Sequence, residues 1–574
     1  MRIALAQLNP TSGDIAGNAA RITGVIEEAA RLGAEVVVTP EMALPGYCIG
    51  DLVENAGFLA ANERAIQELA ATARGITAVV GFIDHNPSTR NENGTIRKYN
   101  AAAVLRDGRV LQRARKTLLP NYRYFDDKRY FTAGEVRLPV DVPGARLGVS
   151  ICEDMWDEFY AVKPLPELVA LGADIVLNLN ASPFYPGKRQ ERDELIRRHV
   201  RELRRPLVYI NTVGAADNGK NIIPFDGESL VYDADGRLVA IGAQFAEELL
   251  VVDIGAGSPP REELELPAID REREIYDALV MALRDYMRKT GFTRAIVAIS
   301  GGIDSALALA IAVDALGPAQ VSAYNMPSRY NTEMTRSIAA RLAQAFGVPY
   351  GVIPIQELDE HVRTVFEQHA HPIRCTATRE NLHARIRGLL MMAESNDTGA
   401  LLISCGNETE IALGYATLYG DMCGGVSLIG DLSKVDVYRL ARYVNRKHGA
   451  TKIPEDAFEV RPSAELAADQ FDPFDYYVVA PIVGEFVERR RSPAELVALF
   501  ETRQLDAERF VPDPQGQTVY DKHTHDTFRA VVYDAYRRLH RSVYKRLQGP
   551  PIVAVTERAF GFDLRETIIN GWKG

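Results

Sequence analysis

Residues 295–309 read AIVAISGGIDSALAL, and this stretch decides the fold of the second half of the chain. An apolar run long enough for one buried strand ends in Ser300-Gly301-Gly302-Ile303-Asp304-Ser305, and an apolar helix follows at once. Two adjacent glycines let the backbone approach a ligand closely and turn its N–H groups inward. The start of the helix adds a partial positive charge, so strand, turn and helix together form an anion cradle. Asp304 inside that cradle would repel a bare phosphate, which argues for a polyphosphate carrying Mg²⁺. A glycine turn capped by Ser and Asp is also an ordinary helix start. The full SGGxDS after a buried strand is more specific than that. No Gly-Lys-Ser/Thr follows it, so it is not a Walker loop, and it lacks the GxGxxG of a hydride-transfer dinucleotide fold.

Outward from this motif, a helix over 272–289 precedes the strand and QVSAYNMPS supplies the next one, giving an α/β unit over 271–574. Before it, DIGAGSPPREELELPAID (253–270) breaks the periodicity with Gly, Pro-Pro and acidic residues and reads as a linker. Residues 1–252 hold short apolar runs: IALAQL, AEVVVTP, TAVVGFI, ARLGVSIC, ADIVLNLNAS and RPLVYINTVG. Most are rich in Val and Ile and are bounded by Gly, Pro or Asn, as strands are. Helical spacing over 18–32 and 58–73 alternates with them, so the first half is a second α/β domain. It closes with ESLVYDADGRLVAIG, whose Asp235-Gly236 marks a hairpin turn.

Bulk properties narrow the function. At 574 residues the chain exceeds one hydrophobic core. A formal charge of −11 argues against a nucleic-acid-coating surface, which needs Lys and Arg to neutralise phosphate. The five cysteines, Cys48, Cys152, Cys375, Cys405 and Cys423, form no CxxC pair, so neither a zinc ribbon nor a disulfide framework is expected. No basic n-region precedes a long apolar stretch, and no run of about 20 apolar residues occurs. These features point to a soluble, cytoplasmic protein with no membrane partner.

SGGIDS resembles the PP-loop family of ATP pyrophosphatases, which cleave ATP between its α and β phosphates and adenylate a substrate. Three further stretches resemble NAD synthetases: RENLHARIRG (379–388), GNETEIALGYATLYGDMCGG (406–425) and GDLSKVDVYRLARY (430–443). YKRLQGPP (544–551) and RAFGFDLRETIIN (558–570) continue the likeness. The resemblance implies a Rossmann-like PP-loop domain. Ala298, Ile299, the loop from Ser300 to Ser305 with Gly301, Gly302, Ile303 and Asp304, Cys405 and Lys434 would hold ATP. Asn381, Arg385, Glu410 and Lys545 would meet deamido-NAD, with Asp304 and Glu410 at Mg²⁺. Residue types agree, since Lys and Arg pair with phosphate and carboxylates with Mg²⁺. Cys405 stands where related sequences often have threonine, and Leu418 where ammonia-only enzymes have lysine.

In the first half, Glu41 follows the strand VVVTP, Lys116 lies in RARKTLLPNY, and Cys152 ends LGVSIC and opens EDMW. Sites on α/β sheets gather at the carboxyl ends of strands, so the three positions can converge. A nearby ammonium or helix N-terminus gives cysteine the thiolate character needed to attack an amide. A carboxylate can take the thiol proton and later deliver it to departing ammonia. Lys116 and the N–H of Glu153 can stabilise the oxyanion. Each residue alone has a plainer reading: a small core side chain for Cys152, a helix-start carboxylate for Glu41, a surface charge for Lys116.

Together, TPEMALPGY, RKTLLPNY and ICEDMW resemble the nitrilase superfamily and its Glu-Lys-Cys triad, over roughly the first 250 residues. That likeness implies a four-layer αββα sandwich. In glutamine-dependent relatives a tyrosine after the lysine and a Ser/Lys pair after the nucleophile bind glutamine. Tyr122, Ser182 and Lys188 match here, the last two within NASPFYPGK.

The fusion itself is informative. An amidase releases ammonia, and an adenylating domain makes an acyl-adenylate that ammonia attacks. Free ammonia is mostly protonated at neutral pH, so a sheltered passage between the sites is expected. The chain shows no GxCxG element of a class I amidotransferase, and Met1-Arg2 offers no N-terminal cysteine. The reading is ATP-dependent amidation of deamido-NAD with nitrogen from L-glutamine, by a homo-oligomer. Two alternatives stay open: another adenylating amide ligase of the PP-loop family, and a non-catalytic regulatory relative.

Overall fold

The computed structural model describes residues 1–255, 262–463 and 471–569. Pro259 and Pro260 of the expected linker, and Asn570 at the end of the last family-like stretch, lie outside the described residues. The chain divides into two compact units, Met1–Asn218 with Ile223–Asp270, and Gly219–Ile222 with Arg271–Gly574.

The first unit is built on two six-stranded sheets. One runs in the order Glu248–Asp253, Arg2–Gln7, Val36–Val38, Thr77–Arg90, Ile96–Arg106, Arg109–Arg115. The other runs Leu238–Ile241, Leu230–Tyr232, Leu207–Asn211, Ile175–Asn180, Ala145–Ile151, Val140–Val142. The two-residue alternation of a strand sorts its side chains between layers. Ile3, Leu5, Val36 and Val38 of the first sheet join Val149, Ile151, Leu177 and Leu179 of the second in one core between the sheets. Ala4, Ala6, Val37 and Val80, on the opposite face, pack under Ile22 and Ile26 of helix Ile15–Arg31 and Ile66 and Leu69 of helix Ala56–Thr72. Val176, Tyr209 and Tyr232 on the far face of the second sheet pack under Ile196 and Val200 of helix Lys188–Leu203. Both faces of both sheets are therefore covered, which explains why the strands read as unbroken apolar runs. The result is the αββα sandwich that the sequence resemblance implies.

The expected hairpin forms with Gly236 at φ 85, its N–H bonded to the carbonyl of Asp233. Residues 262–270 pack on this unit: the N–H of Leu264 donates to the carbonyl of Leu238, and Arg189 Nη1 donates to that of Pro267 at 2.8 Å.

The second unit is centred on parallel strands in the order Ile552–Val553, Val426–Ser427, Leu401–Ser404, Ala295–Ala298, Val321–Asn325, Tyr350–Val352. From Ala295–Ala298 the chain proceeds to one side through Val321–Asn325 and returns to the other through Leu401–Ser404. The carboxyl ends of these central strands thus flank the topological switch point, where ligands of open α/β sheets bind. Helices Tyr476–Val487, Pro493–Glu501 and His525–Arg541 build a separate aromatic core, with Phe500 stacked on Phe528 at 4.2 Å. Among the described residues no helix is long and apolar enough to cross a membrane.

Candidate active site

In the first unit the strand Ala145–Ile151 turns directly into the 3₁₀ turn Cys152–Met155. Cys152 sits at φ 42, a left-handed conformation that costs a non-glycine residue about 1–2 kcal/mol. Strain of this kind persists where the surroundings over-determine it, as around a nucleophile held at a strand-to-helix corner. Asp154 is the principal restraint. Its Oδ1 accepts the N–H groups of Thr117 at 2.9 Å and Leu118 at 2.8 Å, and its Oδ2 accepts that of Ile151 at 3.0 Å. One carboxylate therefore pins the residues after Lys116 to the residue before Cys152. Burial pushes Asp154 up to about 6 even though these three N–H groups pull it down.

Lys116 Nζ donates to Glu41 Oε1 at 2.7 Å and to Asp127 Oδ2 at 2.6 Å, with the Lys116 and Glu41 side chains fully buried. Glu41 is held by two further donors, Asn100 Nδ2 on Oε1 at 2.7 Å and the N–H of Ala181 on Oε2 at 2.9 Å. Its loop also needs glycine behind it: a Cβ on Gly81 would stand 2.2 Å from the carbonyl oxygen of Pro40. Burial alone would lower Lys116, but Asp127 and Glu41 hold it well above the ordinary lysine value, so it is an ammonium. For Cys152, burial and then Glu41 raise the thiol well above its ordinary value against the opposing pull of Lys116. Resting Cys152 is thus a thiol, and to act as a nucleophile it would need a base within reach. Glu41 fits that requirement.

The predicted glutamine residues surround this corner without forming one closed cluster. Tyr122, about half exposed, donates its phenol to Glu153 Oε2 at 3.0 Å, one residue beyond Cys152. Lys188 lies over the Trp156 ring at 3.8 Å, on the other side of the turn, and bonds Glu191 at 3.0 Å. Ser182 is buried, and its hydroxyl accepts from Arg192 Nη2 at 3.2 Å; Arg192 is in turn paired with Asp226 at 2.7 Å. Asp127, Asn100 and Asp154 escape the sequence reading. Asp154→Asn should cost about 1–3 kcal/mol, since an amide presents N–H to backbone donors it must accept from. A thermal melt checks that, and a two-donor assay should show loss with glutamine while synthesis from ammonia is kept.

In the second unit, Gly301 at φ 92 could not carry a side chain, because a Cβ there would lie 2.2 Å from the carbonyl oxygen of Thr335. The loop is tied internally: Gly302 N donates to Ser300 Oγ at 3.2 Å and Ser305 Oγ to the Gly302 carbonyl at 3.0 Å. Asp304 opens the helix Ile303–Leu316. Its Oδ2 takes Lys434 Nζ at 2.5 Å and its Oδ1 takes Asn407 Nδ2 at 2.8 Å. Lys434 also reaches Glu410 Oε1 at 3.2 Å. Asn407 caps the helix Glu408–Leu413 through the Glu410 N–H, a reciprocal Asn-x-x-Glu box that brings Glu410 beside Asp304. Burial, with Asp304 against Lys434, pushes Glu410 up to about 8.

These groups line a cavity of about 370 Å³. Ala298, Ser300, Gly302, Ile303, Asp304, Ser305, Cys405, Lys434, Asn381, Glu410 and Lys545 all border it. Three predicted residues do not. Ile299 is buried with its carbonyl accepting from Asn325, Gly301 backs onto Thr335, and Arg385 donates to the Leu418 carbonyl at 3.2 Å. Burial, with Asp304 and Glu410, pushes the Cys405 thiol up to about 12. Lys545 donates to the carbonyls of Gly414 and Ala416 at 2.8 and 2.7 Å. Asn407, absent from the sequence reading, is the N-cap signature in GNETE that could have revealed it.

Residues 2–258 match the carbon-nitrogen hydrolase family and residues 275–511 match NAD synthase. The whole chain is 38% identical to a glutamine-dependent NAD(+) synthetase of Xylella fastidiosa (strain Temecula1), covering 99% of it. It is 35% identical, again over its full length and 99% of the relative, to a glutamine-dependent NAD(+) synthetase of Thermotoga maritima. A solved glutamine-dependent NAD+ synthetase from Acinetobacter baumannii, in complex with adenosine diphosphate, superposes with a TM-score of 0.74 at 34% identity. That match covers 100% of this chain and 98% of the other.

Proposed function

The chain belongs to the glutamine-dependent NAD(+) synthetases, and on that premise we propose how its own residues divide the reaction. The reaction is the ATP-dependent amidation of deamido-NAD to NAD through an adenylated intermediate, with glutamine as the nitrogen source. We assign the glutaminase to residues 1–252 and the synthetase to residues 271–574.

At the first site Glu41 takes the Cys152 proton as sulfur attacks the side-chain amide of glutamine. The Lys116 ammonium and the Glu153 N–H face the oxyanion, and Glu41 returns the proton to departing ammonia. Asp127 keeps Lys116 charged and aimed. Water then hydrolyses the thioester to glutamate. The observation that carries this reading is the buried 2.7 Å contact of Lys116 with Glu41, set against a cysteine strained at φ 42.

At the second site the Ser300–Ser305 loop receives the ATP phosphates, and Lys434 neutralises charge as pyrophosphate leaves. Asn381 and Lys545 border the same cavity and are assigned to deamido-NAD. Arg385, exposed and outside the cavity lining, is assigned to the same substrate by the family resemblance, and it donates to the Leu418 carbonyl. Asp304 and Glu410 fit a Mg²⁺ ion: two neighbouring carboxylates share one ammonium, and Mg²⁺ on nucleotide phosphates takes only one or two protein carboxylates. Among the described residues no group of three or more His, Cys, Asp or Glu is placed to hold a metal, so its remaining ligands would be phosphate and water. When bound, the ion would supply charge neutralisation on the phosphates.

Two further assignments accompany this reading. Five cysteines, none in a disulfide, suit a reducing cytoplasm. Leu358, Val365 and Phe366 are exposed at helical spacing on Gln356–His369, which suits pairing of synthetase halves in a homo-oligomer.

The test is NAD formation from deamido-NAD and MgATP, first with glutamine and then with ammonium as donor. Product is expected with both, and failure with both would remove the reading. Within that assay, Tyr122→Phe or Ser182→Ala should raise the glutamine requirement about tenfold and leave the ammonia reaction unchanged. Equal losses with both donors would instead assign these side chains to folding.

A further inference from the structure

A lysine ammonium has three N–H donors, and at Lys434 two of them go to carboxylates: Asp304 Oδ2 at 2.5 Å and Glu410 Oε1 at 3.2 Å. Both carboxylates border the same cavity as Lys434. A ligand that draws on these carboxylates, or that offers phosphate oxygens to the ammonium, pulls Lys434 out of the geometry they impose. A partner with neither net charge nor a competing lone pair would keep the side chain in place through that exchange.

The Tyr476 ring is such a partner. Lys434 Nζ lies over it, 5.2 Å from the centroid, within the range at which an aromatic face attracts a cation. Both side chains are buried, and a desolvated contact of this kind is worth more than an exposed one. The ring is also anchored at both ends. Its backbone opens the helix Tyr476–Val487, where the Asp475 side chain accepts the N–H of Tyr477 at 3.0 Å. Its phenol donates to Asp472 Oδ2 at 2.7 Å, and the Asp472 N–H donates to the Pro462 carbonyl at 3.0 Å. Tyr476 shares one core with Ile411 and Leu413, on the helix that carries Glu410. The ring therefore stays with the wall of the cavity while the ammonium changes partners.

We propose that Tyr476 is a positioning residue for Lys434, its ring holding the ammonium in the cavity as ATP phosphates replace the carboxylate contacts. The proposal rests on the reading of Ser300–Ser305 as the ATP phosphate loop.

The experiment measures Kd of the full-length protein for α,β-methylene-ATP, which has no cleavable bond between the α and β phosphates, in the presence of Mg²⁺. Tyr476→Phe keeps the ring and loses the phenol, whereas Tyr476→Leu loses both. The two variants thus leave Asp472 in the same state and differ at the ring alone. Kd should rise about 5- to 30-fold from Tyr476→Phe to Tyr476→Leu, the worth of a buried cation–ring contact. With Lys434→Met added to each, the two should differ by less than about twofold, because the partner of the ring is gone. Should Tyr476→Leu fail to fold, difluorophenylalanine placed at 476 keeps the shape of the ring and weakens its negative face. Kd should then rise above that of Tyr476→Phe with Tm unchanged. Equal Kd values across the ring variants would overturn the proposal. So would a difference that persists with Lys434→Met, which would assign the ring to packing. The wild-type protein separates the two readings: if it does not bind the analogue, the phosphate-loop reading fails. If it binds and the ring variants do not differ, only the role of Tyr476 fails.

Discussion

Cys152→Ala should abolish NAD synthesis from glutamine and leave synthesis from ammonia standing. Only the thiolate can form the thioester, and an alanine methyl has no lone pair to offer. Loss of a covalent nucleophile costs about four orders of magnitude or more at its own step. The substitution is small enough to preserve the site: Cys152 makes no hydrogen bond on which Glu41 or Lys116 depends, since Asn100, Ala181 and Asp127 hold those two. The strained φ 42 remains, with a Cβ of the same kind, so the corner should keep its shape. The residues assigned to the synthetase all lie in the second unit, and on the proposed reading they need only deamido-NAD, MgATP and a nucleophilic nitrogen. High ammonium at alkaline pH raises the fraction present as NH₃, and there the variant should match the wild type within a few fold. Retained glutamine activity would sink the assignment of Cys152. Loss of both activities in a variant that melts like the wild type would sink the two-site model.

What the sequence discloses follows from how local each signal is. Ser300 to Ser305 is readable because strand, glycine turn and helix are contiguous, and Gly301 is required by a contact with Thr335 that only a missing Cβ permits. Glu41 and Cys152 are readable because each stands at the end of an unmistakable Val- and Ile-rich strand, and Lys116 because it lies in a motif shared with the family. Asp127 is not. It sits in DDKRY, which reads as surface charge, and it meets the buried Lys116 ammonium only because one helical turn delivers it there. Asn100 belongs to Ile96–Arg106, a strand rich in alanine, whose weak β-propensity hides it; the Asp107-Gly108 turn was the available signal. Asp154 acts through backbone N–H groups of a distant loop, and no residue pattern encodes such a partner. The expected linker reads as polar and broken, yet the Leu264 N–H is fixed on the Leu238 carbonyl and the Pro267 carbonyl on the Arg189 guanidinium, bonds to backbone groups that leave no trace in composition.

Asp304→Asn should stop adenylation with either nitrogen donor, by about three orders of magnitude or more in pyrophosphate release. Asp304 is the hinge of the proposed phosphate site: one oxygen holds Lys434 and the other holds Asn407, which caps the helix carrying Glu410. An asparagine keeps the size and can still accept from Asn407, so Glu410 stays in place. What it loses is the negative charge facing Lys434 and the carboxylate assigned to Mg²⁺. Lys434 is not stranded, because Glu410 remains within 3.2 Å, and the fold should survive with a modest loss in Tm. Two readouts separate a metal role from a purely structural one. Basal hydrolysis of glutamine, carried by the first unit, should be unchanged. Asp304→Glu, which restores the charge at a different reach, should recover part of the activity with a raised Mg²⁺ requirement. If Asp304→Asn released pyrophosphate at a near-normal rate and with the wild-type Mg²⁺ dependence, Asp304 would be only the partner of Lys434. The cation would then have to rest on Glu410 alone.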